Sequence, residues 1–391
     1  MENKMEVIKK ENYKVPVFSW CSEIEENAMS QIDNLAQLPF VFNRISIMSD
    51  CHQGYGMPIG GVIATKDVVI PNAVGVDIGC GMRAVKTNLC VEGVAIDQLK
   101  TILGFIRKRI PVGFKHHDKP HPIPDLPNCE MKICTEQYES ATKQVGTLGG
   151  GNHFIEIQRD QDGFIWFMIH SGSRNLGKKV ADYYNKIAQR LNADWYSSVP
   201  KNWELAFLPM DTAVGICYLS EMEYCLQFAA ANRDLMAEIV KDIFYEVDGD
   251  VLFSDEVNIH HNYAAMENHF GCNVMIHRKG ATRARKNEVG IIPGSQGTHS
   301  YIVSGLGNPD SFMSCSHGAG RCMGRKEAIR SLDFDTEVYA MEAQGILHAI
   351  RNKNDLDEAT GAYKNIDTVM AEQSDLVSIF YTLTPMAVVK G

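Results

Sequence analysis

The chain has 391 residues, with 38 Lys and Arg against 48 Asp and Glu, for a formal net charge of −10. With 45% hydrophobic and 22% charged residues it has the composition of an ordinary globular protein, which excludes a disordered chain and any fibrous or collagen-like repeat. No apolar run of about 18 residues is present to span a membrane, the opening stretch MENKMEVIKKENYKV has no apolar signal core, and an acidic total argues against a nucleic-acid partner.

In chain order, residues 55–72 predict two short β segments joined by Thr65-Lys66-Asp67 and closed by a Pro-Asn turn. Residues 92–110 predict an amphipathic helix, with Ile96, Leu99, Ile102, Leu103 and Ile106 on one face. Residues 112–140, rich in Pro, His, Asp and Lys, predict a surface excursion that leaves His116, His117 and His121 exposed. Phe164 to His170 reads as a buried strand running into a Gly/Ser turn, with a helix from about Leu176. Residues 218–247 form the longest helical pattern, and 335–352 a later one. Val274–Ile276, Tyr301–Val303 and Ser378–Val389 predict further strands. Strands and helices are mixed rather than alternating, which predicts an α+β fold. No linker marks a boundary, so residues 1–391 are expected to form a single large mixed domain.

Eleven cysteines are scattered with no CxxC pair, which excludes zinc ribbons and thioredoxin-type motifs and fits free thiols in a reducing cytoplasm. Cys90, Cys217 and Cys225 sit among apolar residues and read as core. Cys80 stands apart in the glycine-rich run Gly75 to Gly81. Two phosphate-loop readings fail. Gly172 to Lys178 ends on Lys179, which has no hydroxyl for Mg²⁺, and Gly146 to Gly151 lacks the G-x-G-x-x-G spacing. The K-x-D-G of lysine-based nucleotidyl ligases does not occur.

What remains is a donor set: Asp77, Cys80, His153, His170 and His261. A thiolate, a carboxylate and imidazoles suit Zn²⁺, Mn²⁺, Fe²⁺ or Co²⁺ better than Ca²⁺. The competing reading is that each histidine is a satisfied structural group at a strand end. His317, followed by Gly318 and Gly320 and ahead of Arg325-Lys326, suits a histidine that attacks phosphorus, or else a turn histidine capping the next helix. His277–Lys286 carries five Lys or Arg and no acid, and Phe105–Lys119 carries five against one Asp. These runs, with Arg174–Lys179, are either solvated faces or a path for a polyphosphate backbone.

The motifs also resemble a known family. Asp50-Cys-His-Gln-Gly-Tyr-Gly56, Val74-Gly-Val-Asp-Ile-Gly-Cys80, Gly149-Gly-Gly-Asn-His153 and His170-Ser-Gly-Ser-Arg174 are similar to the RtcB family of RNA ligases. So are His260-His-Asn262, His277-Arg-Lys-Gly-Ala-Thr282, Pro293-Gly-Ser-Gln-Gly-Thr298, Ser316-His-Gly-Ala-Gly-Arg321, Ala362-Tyr-Lys-Asn-Ile-Asp367 and Val388-Val-Lys-Gly391. The blocks run in family order over nearly the whole chain and look closest to bacterial-type members.

The resemblance implies an α+β fold peculiar to the family. It also implies joining of an RNA 2′,3′-cyclic phosphate or 3′-phosphate end to a 5′-hydroxyl end, with GTP and two Mn²⁺ ions. By position, Asp77, Cys80, His153, His170 and His261 fall on the metal ligands, with Cys80 bridging. His317 falls on the nucleophile that carries GMP. Asn152 falls on a contact to the GTP phosphates, and Glu156, Ser295, Ser300, Tyr363 and Lys390 on the guanylate site. Arg174, Lys279 and Arg325 fall near the phosphate path. Asn175, Gln296 and Gly324 depart from the usual family residues, as do Ser49 and Cys51. The implied partner is RNA with such ends and no membrane, an accessory activator protein being an open further partner. The alternative activity is a metal-dependent RNA cyclic phosphodiesterase or phosphatase without covalent nucleotide. A third reading, with no catalysis, is a metal-stabilised RNA-binding protein. On the ligase reading the argument from net charge fails, because RNA meets one cleft and not the average surface.

Overall fold

The computed structural model describes residues 5–127 and 131–391. Two sheets carry the fold. The six-stranded sheet runs, in spatial order, Glu6–Ile8, Val17–Ser19, Val41–His52, Ile59–Thr65, Cys272–Lys279 and Asn262–His269. The seven-stranded sheet runs Phe253–His260, Gly81–Cys90, Phe164–Ser171, Phe154–Arg159, Val377–Lys390, Ser300–Gly305 and Val289–Ile292. Only the pair Val17–Ser19 with Val41–His52 is parallel within these sheets. The mixture of long antiparallel strands and separate helices is the α+β architecture expected.

The longest helix, Ala213–Asp248, is the support for the seven-stranded sheet. Thr212 caps it by accepting from the Gly215 amide, and Gly249 ends it at φ 87°. Met236, Val240, Ile243 and Phe244 pack on Ile155, Ile157, Phe167 and Ile169 of the sheet, together with Leu99, Ile102 and Ile106 of helix Ile96–Arg109. The same helix turns Tyr218, Met222 and Cys225 toward Leu176, Val180 and Tyr184 of helix Arg174–Asp194. Both faces are therefore apolar, as a helix buried between layers requires.

Antiparallel register decides where the chemistry gathers. Gly81 pairs with Ser171 and with His260, Phe154 pairs with His170, and Lys390 pairs with Phe154. The beginnings of two strands and the ends of three thus lie at one end of the sheet. His261 is the single residue between a strand of one sheet, ending at His260, and a strand of the other, beginning at Asn262. Its amide donates to Cys80 O at 2.8 Å and its carbonyl accepts from Ala281 N at 3.1 Å.

Four expectations are corrected. Of the three cysteines read as core only Cys225 is buried, Cys90 being exposed and Cys217 half-buried. Residues 112–140 are not all surface excursion, because Lys132–Gln144 is a helix that buries Ile133, Cys134 and Ala141. The preceding loop is pinned to it, with His117 N on Lys143 O at 3.0 Å and His121 N on Thr142 O at 2.8 Å. The helical pattern at 335–352 gives a helix only over Phe334–Glu342, since Gly345 turns the chain at φ 73°. Pro71-Asn72 opens the short helix Pro71–Val74 rather than a bare turn.

Helix Lys132–Gln144 is held by a buried carboxylate from the long helix. Glu221 accepts from Ile133 N at 3.2 Å, Cys134 N at 2.7 Å and Tyr184 Oη at 2.8 Å. Glu221→Ala leaves these donors without acceptors and is expected to lower unfolding stability by about 3 kcal/mol. Glu221→Gln, which keeps one acceptor, is expected to lose less. Urea midpoints of the two variants check this.

Candidate active site

At the end of the seven-stranded sheet, five side chains converge. Cys80 Sγ lies 3.3 Å from His170 Nε2 and 3.5 Å from His153 Nε2. His170 Nε2 is 3.4 Å from His261 Nε2, and His153 Nε2 is 3.1 Å from Asp77 Oδ2. Two three-ligand groups result, Cys80 with His170 and His261, and Asp77 with Cys80 and His153, with Cys80 common to both. Glycines let the loops close this tightly: a Cβ on Gly172 would sit 2.3 Å from an Asp77 carboxylate oxygen.

The donors suit a divalent transition ion. His153 Nδ1 meets Leu148 O at 2.9 Å, so Nδ1 carries the proton and Nε2 presents a lone pair to the cluster. Burial, reinforced by neighbouring imidazoles, holds His170 and His261 well below the ordinary histidine range, hence neutral and able to ligate. Burial opposes the Asp77 charge, yet its hydrogen bond to His153 keeps its carboxyl below the usual range. Burial and the Asp77 charge push the Cys80 thiol well above its usual range. A metal ion reverses that last effect, since coordination deprotonates a thiol. In the described residues, this buried Cys, His and Asp cluster can hold a metal ion.

A cleft of about 900 Å³ opens over the cluster. His317 stands in its wall because Ser314–Ser316 pairs with Ala281–Arg283. Its ring lies 4.8 Å, centroid to centroid, from that of His261. His317 Nδ1 is 2.5 Å from Asp50 Oδ2, and its amide donates to the same oxygen at 3.1 Å. The fully buried Asp50 therefore accepts a hydrogen bond from Nδ1–H and leaves the Nε2 lone pair of His317 free. Asp50 lies inside a motif quoted above, but nothing local in the sequence paired it with a histidine 267 positions away.

Of the other predicted residues, Asn152, Glu156, Ser295, Tyr363, Lys390, Lys279 and Arg325 all line the cleft. Burial lifts the Glu156 carboxyl to about 8, against a hydrogen bond from Gln158 and the nearby Lys390 charge. Burial likewise lowers Lys279 to about 7, its ammonium donating to the Tyr55 and Asn72 carbonyls. Ser300 is behind the wall, accepting from Gln158 Nε2 at 3.0 Å and Gly294 N at 3.2 Å. Arg174 is also outside it: its guanidinium donates to Thr147 Oγ1 and Gly113 O, both at 3.0 Å, and its backbone is left-handed at φ 57°. The basic runs 105–119 and 174–179 supply no lining residue, and the run 277–286 supplies only Lys279 and Gly280. The lining cations are instead Arg321, Arg325, Lys326 and Arg330, with Lys279 and Lys390.

One buried carboxylate organises that wall and was missed in the sequence. Glu358 accepts from Arg321 Nη1, Arg325 Nε and Lys390 Nζ, each at 3.2 Å, and from the Tyr363 hydroxyl. Burial opposes its charge, but Lys390, the Tyr363 hydroxyl and the two guanidiniums hold its carboxyl below the usual range. The Arg321 guanidinium lies 5.2 Å over the Tyr363 ring. Gln296, a departure noted above, donates to Glu358 O at 2.9 Å and so fixes the same corner. Gly324 is the N-cap of helix Arg325–Ser331 and offers it no side-chain acceptor.

A common ligand makes a simple expectation for metal loading. Cys80→Ala is expected to abolish binding at both groups, whereas His261→Ala and His153→Ala each remove one ion. Co²⁺ titration reads both stoichiometry and the thiolate-to-metal absorption band, which Cys80→Ala alone should eliminate.

The family model described as tRNA-splicing ligase RtcB matches residues 31–125 and 123–391. The RNA-splicing ligase RtcB of Escherichia coli (strain K12) is 38% identical over 410 aligned positions, covering 99% of each chain. The tRNA-splicing ligase RtcB of Thermococcus kodakarensis is 30% identical, covering 94% of this chain and 92% of its own. The RNA-splicing ligase RtcB of Mycobacterium tuberculosis is 30% identical, covering 92% and 100%.

Proposed function

The chain belongs to the RtcB family and is an RNA ligase, and from that premise we propose that it joins RNA 2′,3′-cyclic phosphate or 3′-phosphate ends to 5′-hydroxyl ends through a guanylylated His317. The observation that carries this reading is His317, its Nδ1 engaged by Asp50 and its ring against His261, in the same cleft as Glu156. Two Mn²⁺ ions held by Asp77, Cys80, His153, His170 and His261 would supply Lewis acidity and orientation to phosphoryl oxygens.

The chain's own residues account for the rest. The neutral His317 Nε2 forms a bond to the α-phosphorus of GTP, and the bond to pyrophosphate breaks. The imidazolium charge that builds on His317 is met by Asp50. The RNA 3′-phosphate, produced by water from a cyclic end where one is present, takes the guanylyl group from His317. The 5′-hydroxyl oxygen then attacks the activated phosphorus and GMP leaves. Glu156 selects guanine, because a carboxylate accepts from its N1–H and amino group, a pattern adenine lacks. Asn152, Ser295, Tyr363 and Lys390 complete the nucleotide site, with Ser300 acting through Gln158. Lys279 and Arg325 face the phosphates, and Arg174 acts from behind the Asp77 loop. The chain acts as one catalytic domain. Its ten described cysteines are all free thiols, in keeping with a reducing cytoplasm, and among the described residues no helix is long and apolar enough to cross a membrane.

Incubation with [α-³²P]GTP and MnCl₂ is expected to label the protein, and His317→Ala to abolish the label. An unlabelled wild type with metal bound would instead favour a phosphodiesterase that opens cyclic ends without GTP. RNA binding with neither label nor turnover would leave only a binding protein.

Glu156 adds a pH signature. Below about 8 the buried carboxyl carries a proton, and guanine requires the carboxylate, so binding expels that proton. GTP affinity is therefore expected to rise about tenfold per pH unit below the Glu156 pKa and to level off above it. Titrations in the His317→Ala background, with and without Glu156→Gln, isolate this term as the difference between the two profiles, to which Lys279 contributes alike in both.

A further inference from the structure

The long helix Ala213–Asp248 reaches the metal cluster through two consecutive, fully buried residues, Asn232 and Arg233. Neither is a ligand. Arg233 Nη1 donates to Gly79 O at 3.0 Å and Ser171 O at 2.9 Å, its Nη2 meets His260 Nδ1 at 3.1 Å, and Nε donates to Asn258 Oδ1 at 2.8 Å. Gly79, Ser171 and His260 are the chain neighbours of Cys80, His170 and His261. One guanidinium thus grips the residue beside every ligand of one group, and no carboxylate is among its hydrogen-bond partners.

Asn232 reaches the other group. Its Oδ1 accepts from Thr147 N at 3.1 Å, and its Nδ2 donates to Ser171 Oγ at 3.0 Å and Gly172 O at 3.1 Å. Ser171 Oγ donates in turn to Leu148 O at 2.8 Å, the carbonyl that orients His153. Gly172 is the residue against which the Asp77 carboxylate packs. Adjacent residues on a helix point about 100° apart, so this dipeptide fans out to two loop sets that share Ser171.

We propose that Asn232 and Arg233 are site-selective positioning residues, Arg233 for the Cys80–His170–His261 ion and Asn232 for the Asp77–Cys80–His153 ion. This rests on reading those five residues as ligands. A planar fork of donors aimed at fixed carbonyls is a task a lysine cannot perform. The loops are glycine-rich and have little stiffness of their own, so their register is taken from a helix locked in the core. Removing groups that orient ligands costs about 10–100-fold in metal affinity.

The test is equilibrium binding of Mn²⁺ alone to the full chain, with free Mn²⁺ read by electron paramagnetic resonance. Arg233→Lys is expected to weaken one ion at least tenfold, giving an isotherm like that of His261→Ala. In the His153→Ala background it should weaken the remaining ion at least tenfold, and in the His261→Ala background clearly less, the shared Cys80 being the one ligand there whose neighbour Arg233 holds. Asn232→Ser should show the mirror pattern. Arg278→Lys alters an equally buried guanidinium that grips Glu267 away from the cluster, and should lower melting temperature without moving either affinity. Superimposable isotherms of Arg233→Lys and wild type overturn the inference. So does equal weakening of both ions in Arg233→Lys. Should Arg233→Lys not fold, Asn232→Ser decides, since it removes hydrogen bonds and no charge. A wild type that binds no Mn²⁺ overturns the ligand assignment itself, an outcome distinct from either.

Discussion

The structure is organised around one sulfur atom. Cys80 Sγ is buried, within hydrogen-bond distance of two imidazoles, and common to two groups of metal-type ligands. A thiolate in that position is intolerable without cations, and a thiol there wastes three well-aimed lone pairs. The surrounding loops bring together side chains that can hold a metal ion. Three strands of the seven-stranded sheet must end, and two must begin, within reach of that atom. Antiparallel pairing delivers this across the long helical connections 91–153 and 172–252, which is why the candidate ligands come from positions as distant as 77 and 261.

The second layer is electrostatic. Glu156 and Lys279 are both shifted toward neutrality by burial, whereas Glu358 stays charged because Lys390, Arg321 and Arg325 surround it. A single carboxylate thereby gathers three cations and a tyrosine hydroxyl on a wall of the cleft that His317 also lines. These cations are already ordered, so the entropy of fixing their long side chains has been met in folding. The chain total of −10 conceals this entirely.

Much of the fold was legible. The apolar stripe at 92–110 and the run Phe164–His170 appear as helix Ile96–Arg109 and strand Phe164–Ser171, since each buries one face or both in the ordinary way. Helix Lys132–Gln144 was not legible, because its first turn is capped by Glu221 from about 87 positions away and no local signal marks its start. The site shows the same division. Ligand types and glycine-rich turns are written locally, so Asp77, Cys80, His153, His170 and His261 could be singled out together. Asp50, Glu358, Asn232 and Arg233 could not, because a carboxylate or guanidinium acquires its role only from what folding sets beside it. Runs of basic residues misled for a related reason: Arg278 is spent on Glu267 in the core, while Arg321 and Arg330, more widely spaced, face the cleft.

His261 joins the two sheets as well as facing Cys80 and His170. Its backbone amide is tied to Cys80 and its carbonyl to Ala281, the first residue of the strand that pairs with Ser314–Ser316 just before His317. The sheets therefore cannot be exchanged between relatives as separate modules. An inserted or deleted residue at this joint would throw one sheet a half-period out of phase and turn its inward side chains outward. Surface loops can drift in length, but recombination across this joint must carry both sheets or neither.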